Sequence, residues 1–208
     1  RKKLIGETLL EQVKSAESVF YQSSSVEGEF RTRDLEILAG DDKTETEYRE
    51  SGCRFVVDVK KVFFSPRLSS ERIRIAELVN DDEVVVNMFG GIGMFSIIAA
   101  KKKKCTVYNI DINPDAANFC QKNIAINKLA GNIISIHGDA SDVIKNQLEN
   151  KSNRTLMLLP EKSDEFLSSA ILASKNSGVI HYYSHIHADK KLDAAKLSEQ
   201  HYLEVTPV

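Results

Sequence analysis

Along residues 84–205 the chain alternates short apolar runs with longer stretches in which apolar residues recur every three or four positions. The runs begin at Val84 and continue with Cys105–Ile110, Asn132–Ile136, Thr155–Leu159, Val179–Tyr183 and Tyr202–Val205. One helical stretch follows the glycines at 90–93; the others cover Asp115–Asn127, Asp142–Gln147, Ser163–Ala173 and Asp189–Glu199. Strand and helix in regular alternation predict a mainly parallel, doubly wound α/β sheet. Within Asp115–Asn127, the residues Ala116, Phe119, Cys120, Ile124 and Ala125 form the expected sheet-facing side.

Residues 1–60 carry a different pattern. Leu4, Ile5, Leu9, Leu10 and Val13 predict an amphipathic helix over Leu4–Ala16. Val19–Tyr21, Phe30–Thr32, Leu35–Ala39, Thr44–Glu50 and Arg54–Val59 have the character of short strands, with loops at Glu27-Gly28-Glu29, Gly40-Asp41-Asp42 and Ser51-Gly52. A small α+β domain over 1–60 is therefore expected ahead of the doubly wound domain over 61–208. In the joining stretch, Ser65-Pro66 breaks the preceding strand and a helix begins near Leu68–Ser70, capped by Ser69 or Ser70. If the helix starts by Arg67, Arg67 and Glu71 share a face of it, while Ile73, Ala76 and Val79 are expected to face the core. On spacing alone a helix carrying a surface salt bridge is the favoured reading.

The sharpest transition is at Val84–Ile98, where a β-branched run stops at Gly90, Gly91 and Gly93 and an apolar helix follows at once. Glycine permits φ > 0 and lets a ligand approach without a Cβ in the way, and the helix N-terminus offers free N–H groups. The second strand ends in Asp111, about 20 residues after the glycines, where nucleoside-binding α/β folds grip a ribose diol; a helix cap before Pro114 is the other use of that residue. The third strand is followed by Gly138-Asp139-Ala140, where Asp139 serves a ligand, a cap or a turn. The position three after Gly93 is Ser96, so the dinucleotide fingerprint is broken. Glycine loop, ribose acid and third-strand Asp together suit S-adenosylmethionine.

Composition narrows the class further. An apolar content of 42% and a charged content of 28% over 208 residues describe a globular protein with room for one large domain or a large and a small one. No run reaches the ~18–20 apolar residues of a membrane span. Cys53, Cys105 and Cys120 lack metal spacing, which predicts no zinc site and a reducing, cytoplasmic environment. Residues 1–50 hold eight Lys/Arg against twelve Asp/Glu, whereas residues 51–74 hold six against two, a basic segment suited to phosphate contact. Lys101–Lys104 reads as a solvated helix end. The first residue is Arg rather than Met, and the chain is expected to be part of a longer protein.

Five stretches carry a more specific likeness: Val26-Glu27-Gly28-Glu29-Phe30-Arg31, Phe64-Ser65-Pro66-Arg67-Leu68-Ser69-Ser70-Glu71-Arg72, Met88-Phe89-Gly90-Gly91-Ile92-Gly93, Asp111-Ile112-Asn113-Pro114 and His181-Tyr182-Tyr183. Together they resemble the archaeal and eukaryotic tRNA (guanine-37-N1)-methyltransferase family over about residues 4–208. The related aminocarboxypropyl transferases of the wybutosine pathway share fold and cofactor but differ in the stretch around Arg67, which favours methyl transfer. The resemblance implies a class I S-adenosylmethionine-dependent methyltransferase, Rossmann-like, with a small RNA-contacting domain before it. It implies a monomer without metal or membrane that methylates guanine N1 in the tRNA anticodon stem-loop. It also implies a further N-terminal domain and a seventh strand that this sequence does not contain.

Carried over by motif, Glu71 would be the general base, its pKa raised by burial, and Arg67 would stabilise charge on guanine O6. Arg72, Phe89, Gly90, Gly91, Gly93, Asp111, Ile112, Asp139, Ala140 and Leu158 would hold the cofactor, the two Asp residues taking the ribose hydroxyls and the adenine amine. The chain departs from the family at Asn87, where Asp is usual, and at Leu158, where Asn is usual; Gly90 and Met94 replace the usual Ala and Pro. Asn87 and Leu158 leave open a tRNA-binding homologue with lost or weakened catalysis. Methylation of a wyosine-type intermediate shares every visible motif.

Overall fold

A computed structural model of the protein describes residues 1–24, 28–185, 187, 193, 196 and 197. Val26 and Glu27, the expected strand Tyr202–Val205 and all but isolated positions of the expected helix Asp189–Glu199 lie outside the described residues.

The chain opens with α1 (Lys2–Gln12), packed on an antiparallel pair formed by β1 (Ser18–Gln22) and β2 (Leu35–Gly40). Gly6 sets that contact: a Cβ there would lie 2.6 Å from the Cβ of Leu38. Of the stretch Phe30–Thr32, expected as a strand, Phe30 and Arg31 lie in a turn and Thr32 makes only an isolated bridge, with Gly28 at φ 73° and Arg31 at φ 52°. The Arg31 amide closes this turn on the Gly28 carbonyl, which satisfies that amide without a strand partner.

β3 (Glu45–Glu50) and β4 (Cys53–Asp58) form a hairpin whose two-residue turn places Ser51 at φ 51° and Gly52 at φ 71°, the left-handed pair that tight hairpins favour. Phe55 and Val57 of β4 are fully buried, in one apolar cluster with the helices of the larger sheet. The hairpin expected to close the first 60 residues thus shares its core with the doubly wound domain. Its outer edge is covered by α4 (Pro114–Ala125) and the residues just after it. Asn123 brackets Val56, accepting from its amide at 2.7 Å and donating to its carbonyl at 3.1 Å, and Asn127 does the same to Arg54.

The main sheet contains β5 (Val84–Asn87), β6 (Thr106–Asp111), β7 (Asn132–His137), β8 (Ser152–Met157) and β9 (Ser174–Tyr182), in the order β7-β6-β5-β8-β9 and all parallel. Alternate residues supply two layers. Val85, Val107 and Leu156 point to a core shared with α2 (Ser69–Leu78), α3 (Met94–Lys102) and α4, while Val86, Ile110 and Met157 point to α5 (Ala140–Val143) and α6 (Ser163–Ala173). The order reverses at β5, so its C-terminal end lies at the switch point where open α/β sheets bind ligands.

Two local expectations shift by a residue or more. On α2 the buried positions are Arg72, Ile75 and then Val79, while Ile73 is exposed. The helix starts one turn later than the Ser-Pro break because Pro66–Leu68 form a separate tight turn, capped by Ser65, whose hydroxyl accepts from the Arg67 amide. Neither Ser69 nor Ser70 caps. On α4 the buried face contains Asn123, and Ala125 is exposed.

Candidate active site

The C-terminal ends of β5, β6, β7 and β8 surround one cavity of about 170 Å³. Phe89, Gly90 and Gly91 line it from the loop after β5, Asp111 and Ile112 from the end of β6, Asp139 and Ala140 from the turn after β7, and Leu158 from the end of β8. Arg72 reaches it from α2. Nine of the ten expected cofactor residues therefore converge. Gly93 stands behind the cavity as the residue before α3, at φ 88°, where a Cβ would meet Cys120 Sγ at 2.7 Å.

Asp111 organises the glycine loop. Its Oδ2 accepts from the Gly91 amide at 2.6 Å and its Oδ1 from the Asn113 amide at 2.9 Å. Burial pushes its carboxyl up from the ordinary range, against the downward pull of the two amides. The capping role before Pro114 falls to Asn113, which accepts from the Asp115 amide. Gly91, at φ 53°, has open space where a Cβ would point, the feature a close-lying ligand needs. Asp139 caps α5 through Oδ1, which accepts from the amides of Ser141 and Asp142, and it also lines the cavity.

Behind the loop runs a buried polar relay that spacing did not reveal. Asn87 donates to Ser96 Oγ at 3.3 Å, Ser96 donates to Asn109 Oδ1 at 2.6 Å, and Asn109 donates to the Gly91 carbonyl at 3.3 Å. A Cβ on Gly90 would fall 2.2–2.3 Å from the Asn109 amide group, so the loop glycine and this asparagine require each other. Asn87 is fully buried and does not line the cavity; its Oδ1 has no partner among the described residues. Its route to the loop is through Ser96.

Arg72 is braced rather than free. Nε and Nη2 each donate to Glu50 at 2.7 Å, and Nη1 donates to the Ser65 carbonyl at 3.2 Å. Tyr48 donates its hydroxyl to the same Glu50 at 3.1 Å and packs edge-on against Phe64. The hairpin thus holds the 63–65 segment of the cavity wall through a charged side chain.

The two residues expected to carry the chemistry do not line the cavity. Arg67 is exposed, and its guanidinium has no hydrogen-bond or ionic partner among the described residues. Glu71 is ion-paired with Arg74 and accepts a hydrogen bond from the Tyr183 hydroxyl. Its pKa is lowered, first by Arg74, rather than raised by burial as the sequence suggested. Helix geometry explains this, since Arg74 lies one turn after Glu71 on the same exposed face of α2. Besides the braced Arg72, the arginine that lines the cavity is Arg31, whose guanidinium lies 4.5 Å from the Phe63 ring centroid and 3.0 Å from Glu161. The motif ending in Arg31 was visible in the sequence, but its turn geometry, which aims the side chain at the cavity, was not.

Among the described residues no helix is long and apolar enough to cross a membrane, and no group of three or more His, Cys, Asp or Glu could hold a metal ion. The three cysteines are free and buried.

Residues 46–203 match the TRM5/TYW2 methyltransferase domain, and residues 1–44 match the TYW2 N-terminal domain. The junction falls just before the β3–β4 hairpin. The chain is 44% identical over 181 residues to the tRNA (guanine(37)-N(1))-methyltransferase Trm5b of Pyrococcus abyssi, covering 87% of this chain and 53% of that protein. It is 35% identical over 199 residues to the tRNA 4-demethylwyosine(37)-methyltransferase Taw21 of Saccharolobus solfataricus, covering 95% of this chain and 75% of that one. Its structure superposes on a chain of the aTrm5–tRNALeu complex with a TM-score of 0.81 and 42% identity, over 96% of this chain and 57% of that one. The chain thus spans about half the length of the Trm5b relative. The sheet order, the cavity at its switch point and the match over 46–203 agree: the chain belongs to the TRM5/TYW2 methyltransferase family.

Proposed function

We propose that this protein transfers a methyl group from S-adenosylmethionine to N1 of the guanosine at position 37 of tRNA. The observation that carries the reading is the cavity at the ends of β5–β8, with Asp111 bonded to the Gly91 amide on one wall and the Arg31 guanidinium on another. The wall fits the cofactor: two carboxylates suit a ribose diol and an amine, Phe89 and Phe166 (in edge-to-face contact at 5.1 Å) offer an apolar surface for adenine, and Gly91 leaves room for close approach. When bound, S-adenosylmethionine supplies a methyl group already activated on a sulfonium, so no metal is needed.

The protein's own residues then have three tasks. Guanine N1 carries a proton whose pKa is near that of tyrosine, about 10, so a general base must accept it as the N1–methyl bond forms and the sulfur–methyl bond breaks. Glu71 is the residue matching that role, and its lowered pKa keeps it ionised at neutral pH. Negative charge left on guanine O6 calls for a guanidinium; Arg31 lines the cavity, and Arg67 is exposed just beyond the Phe64 and Ser65 portion of its wall. The N-terminal module and the basic stretch 51–74 would contact the RNA backbone.

A second reading has its own support. Residues 1–44 match a TYW2 N-terminal domain, and Leu158 gives the cavity an apolar wall that would suit a larger tricyclic base. The deciding experiment supplies the full-length protein with radiolabelled S-adenosylmethionine and three tRNAs, carrying guanosine, adenosine or 4-demethylwyosine at position 37. Label entering the guanosine transcript alone is the expected result. Label only in the demethylwyosine tRNA replaces the first reading with the second. No label in any, with cofactor and tRNA still bound, makes the protein a non-catalytic homologue.

A further inference from the structure

Glu71 stands on the first turn of α2 with its carboxylate fully engaged. Arg74 donates from Nε to Oε2 at 2.8 Å and from Nη2 to Oε1 at 2.6 Å, and the Tyr183 hydroxyl donates to Oε1. From the elements packed opposite, the titratable groups facing Glu71 are Tyr183 and His181. His181 is itself fixed, because Arg154 Nη1 donates to its Nε2 at 2.6 Å while Glu83 holds Arg154 at 2.9 Å. One wall of this cluster is therefore half-buried and braced from behind by the buried Arg154. The other wall is Arg74, whose side chain is 53% exposed.

That asymmetry has a chemical consequence. A carboxylate with both oxygens bonded to a guanidinium is a weak base and is not free to meet a substrate N–H. An ion pair this open to solvent holds its partners only weakly. A nucleic-acid phosphate presents the same two-oxygen fork to an arginine, with more charge. Arg74 closes the segment 51–74, in which cations outnumber carboxylates six to two. We propose that Arg74 is an exchange residue for the RNA: on binding, a tRNA phosphate takes its guanidinium from Glu71, and Tyr183 remains to orient the freed carboxylate. Substrate binding and activation of the base are then one event. Free cofactor-loaded protein keeps its base latched, and the proton leaves guanine N1 only after the phosphate has replaced the carboxylate on Arg74. The proposal rests on Glu71 accepting that proton.

The test uses the full-length protein and a transcript with guanosine at position 37. Affinity is measured across a series of salt concentrations, and single-turnover methyl transfer is measured at saturating tRNA. Arg74→Gln, an exposed change that leaves the core untouched, is expected to lower the slope of log Kd against log salt by about 1. Its rate at saturation should stay within about threefold of the parent or rise, because the carboxylate is already free. Arg74→Lys, a point charge, should restore the slope. An unchanged slope in Arg74→Gln, or no recovery in Arg74→Lys, removes the phosphate contact. A loss of more than about tenfold in rate at saturation shows that Arg74 holds Glu71 for reaction instead of releasing it. Glu71→Gln is run in parallel and should abolish transfer. If it transfers at the parent rate, the assignment of the base has failed, whatever the Arg74 variants do.

Discussion

Glu50→Gln is expected to cost this protein about 3–5 kcal/mol of stability. Arg72 is 2% exposed and the Glu50 side chain 7%, so neither charge is solvated. Two parallel hydrogen bonds of 2.7 Å join them. At an effective dielectric of about 20, unit charges about 4 Å apart attract by about 4 kcal/mol, and the glutamine removes that attraction while leaving the Arg72 cation in place. The substitution preserves volume, so no cavity contributes. Urea unfolding followed by circular dichroism should show a midpoint lowered by about 1 M or more with an unchanged slope. The double variant Glu50→Leu with Arg72→Met removes both charges and should recover most of the loss, since replacing a buried pair by apolar residues is often neutral. A loss below about 1 kcal/mol in the single variant would refute the argument, because that is the magnitude of a solvated pair.

Two further outcomes rest on local geometry. Gly93→Ala should destabilise by about 2–4 kcal/mol, combining a left-handed φ of 88° with a Cβ placed 2.7 Å from Cys120 Sγ; adding Cys120→Ala should return the packing part of that loss in the same urea assay and not the backbone part. His181 is held neutral, its pKa lowered to about 4 by burial and then by Arg154 and Arg74, against an ordinary 6.5. Below pH 6.5 the unfolded chain takes up a proton that the folded chain refuses, so this contribution is complete above 6.5 and is lost as pH falls toward about 4. The slope is at most about 1.4 kcal/mol per pH unit. His181→Asn should flatten it, and an unchanged slope in that variant would assign the dependence to other groups.

The sheet and the floor of the cavity were legible because both are written in local pattern. Alternating apolar runs place β5–β9, and in a doubly wound sheet every strand delivers its last residue to the same edge. Gly90, Gly91, Asp111, Asp139 and Leu158 each follow or end a strand, so finding the strands found the floor. The roof was not legible in this way. Arg31 reaches the cavity through a left-handed turn, and Phe63–Ser65 are held by Tyr48 and Glu50 from a hairpin and by Arg33 from the N-terminal module. No periodicity connects residues 31, 50 and 72. The pairing of Asn123 and Asn127 with the edge of β4 was missed for the same reason, because a side-chain amide standing in for a strand leaves no apolar signature.

Arg72 belongs to both the floor and the roof. By motif it stands with the cofactor residues, and it does line the cavity. Three of its five N–H groups are nevertheless committed, two to Glu50 and one to the Ser65 carbonyl. A guanidinium so placed transmits the position of the hairpin to the Pro66–Leu68 turn that carries Arg67, and it sits in the helix that carries Glu71 and Arg74. The stretch Ser65–Arg74 is then one mechanical unit: Arg72 anchors it inward, and Arg67 and Arg74 present charge outward. A substitution at Arg72 should accordingly disturb RNA-dependent steps through Arg67 and Arg74 as well as cofactor affinity, whereas a pure cofactor contact would disturb affinity alone.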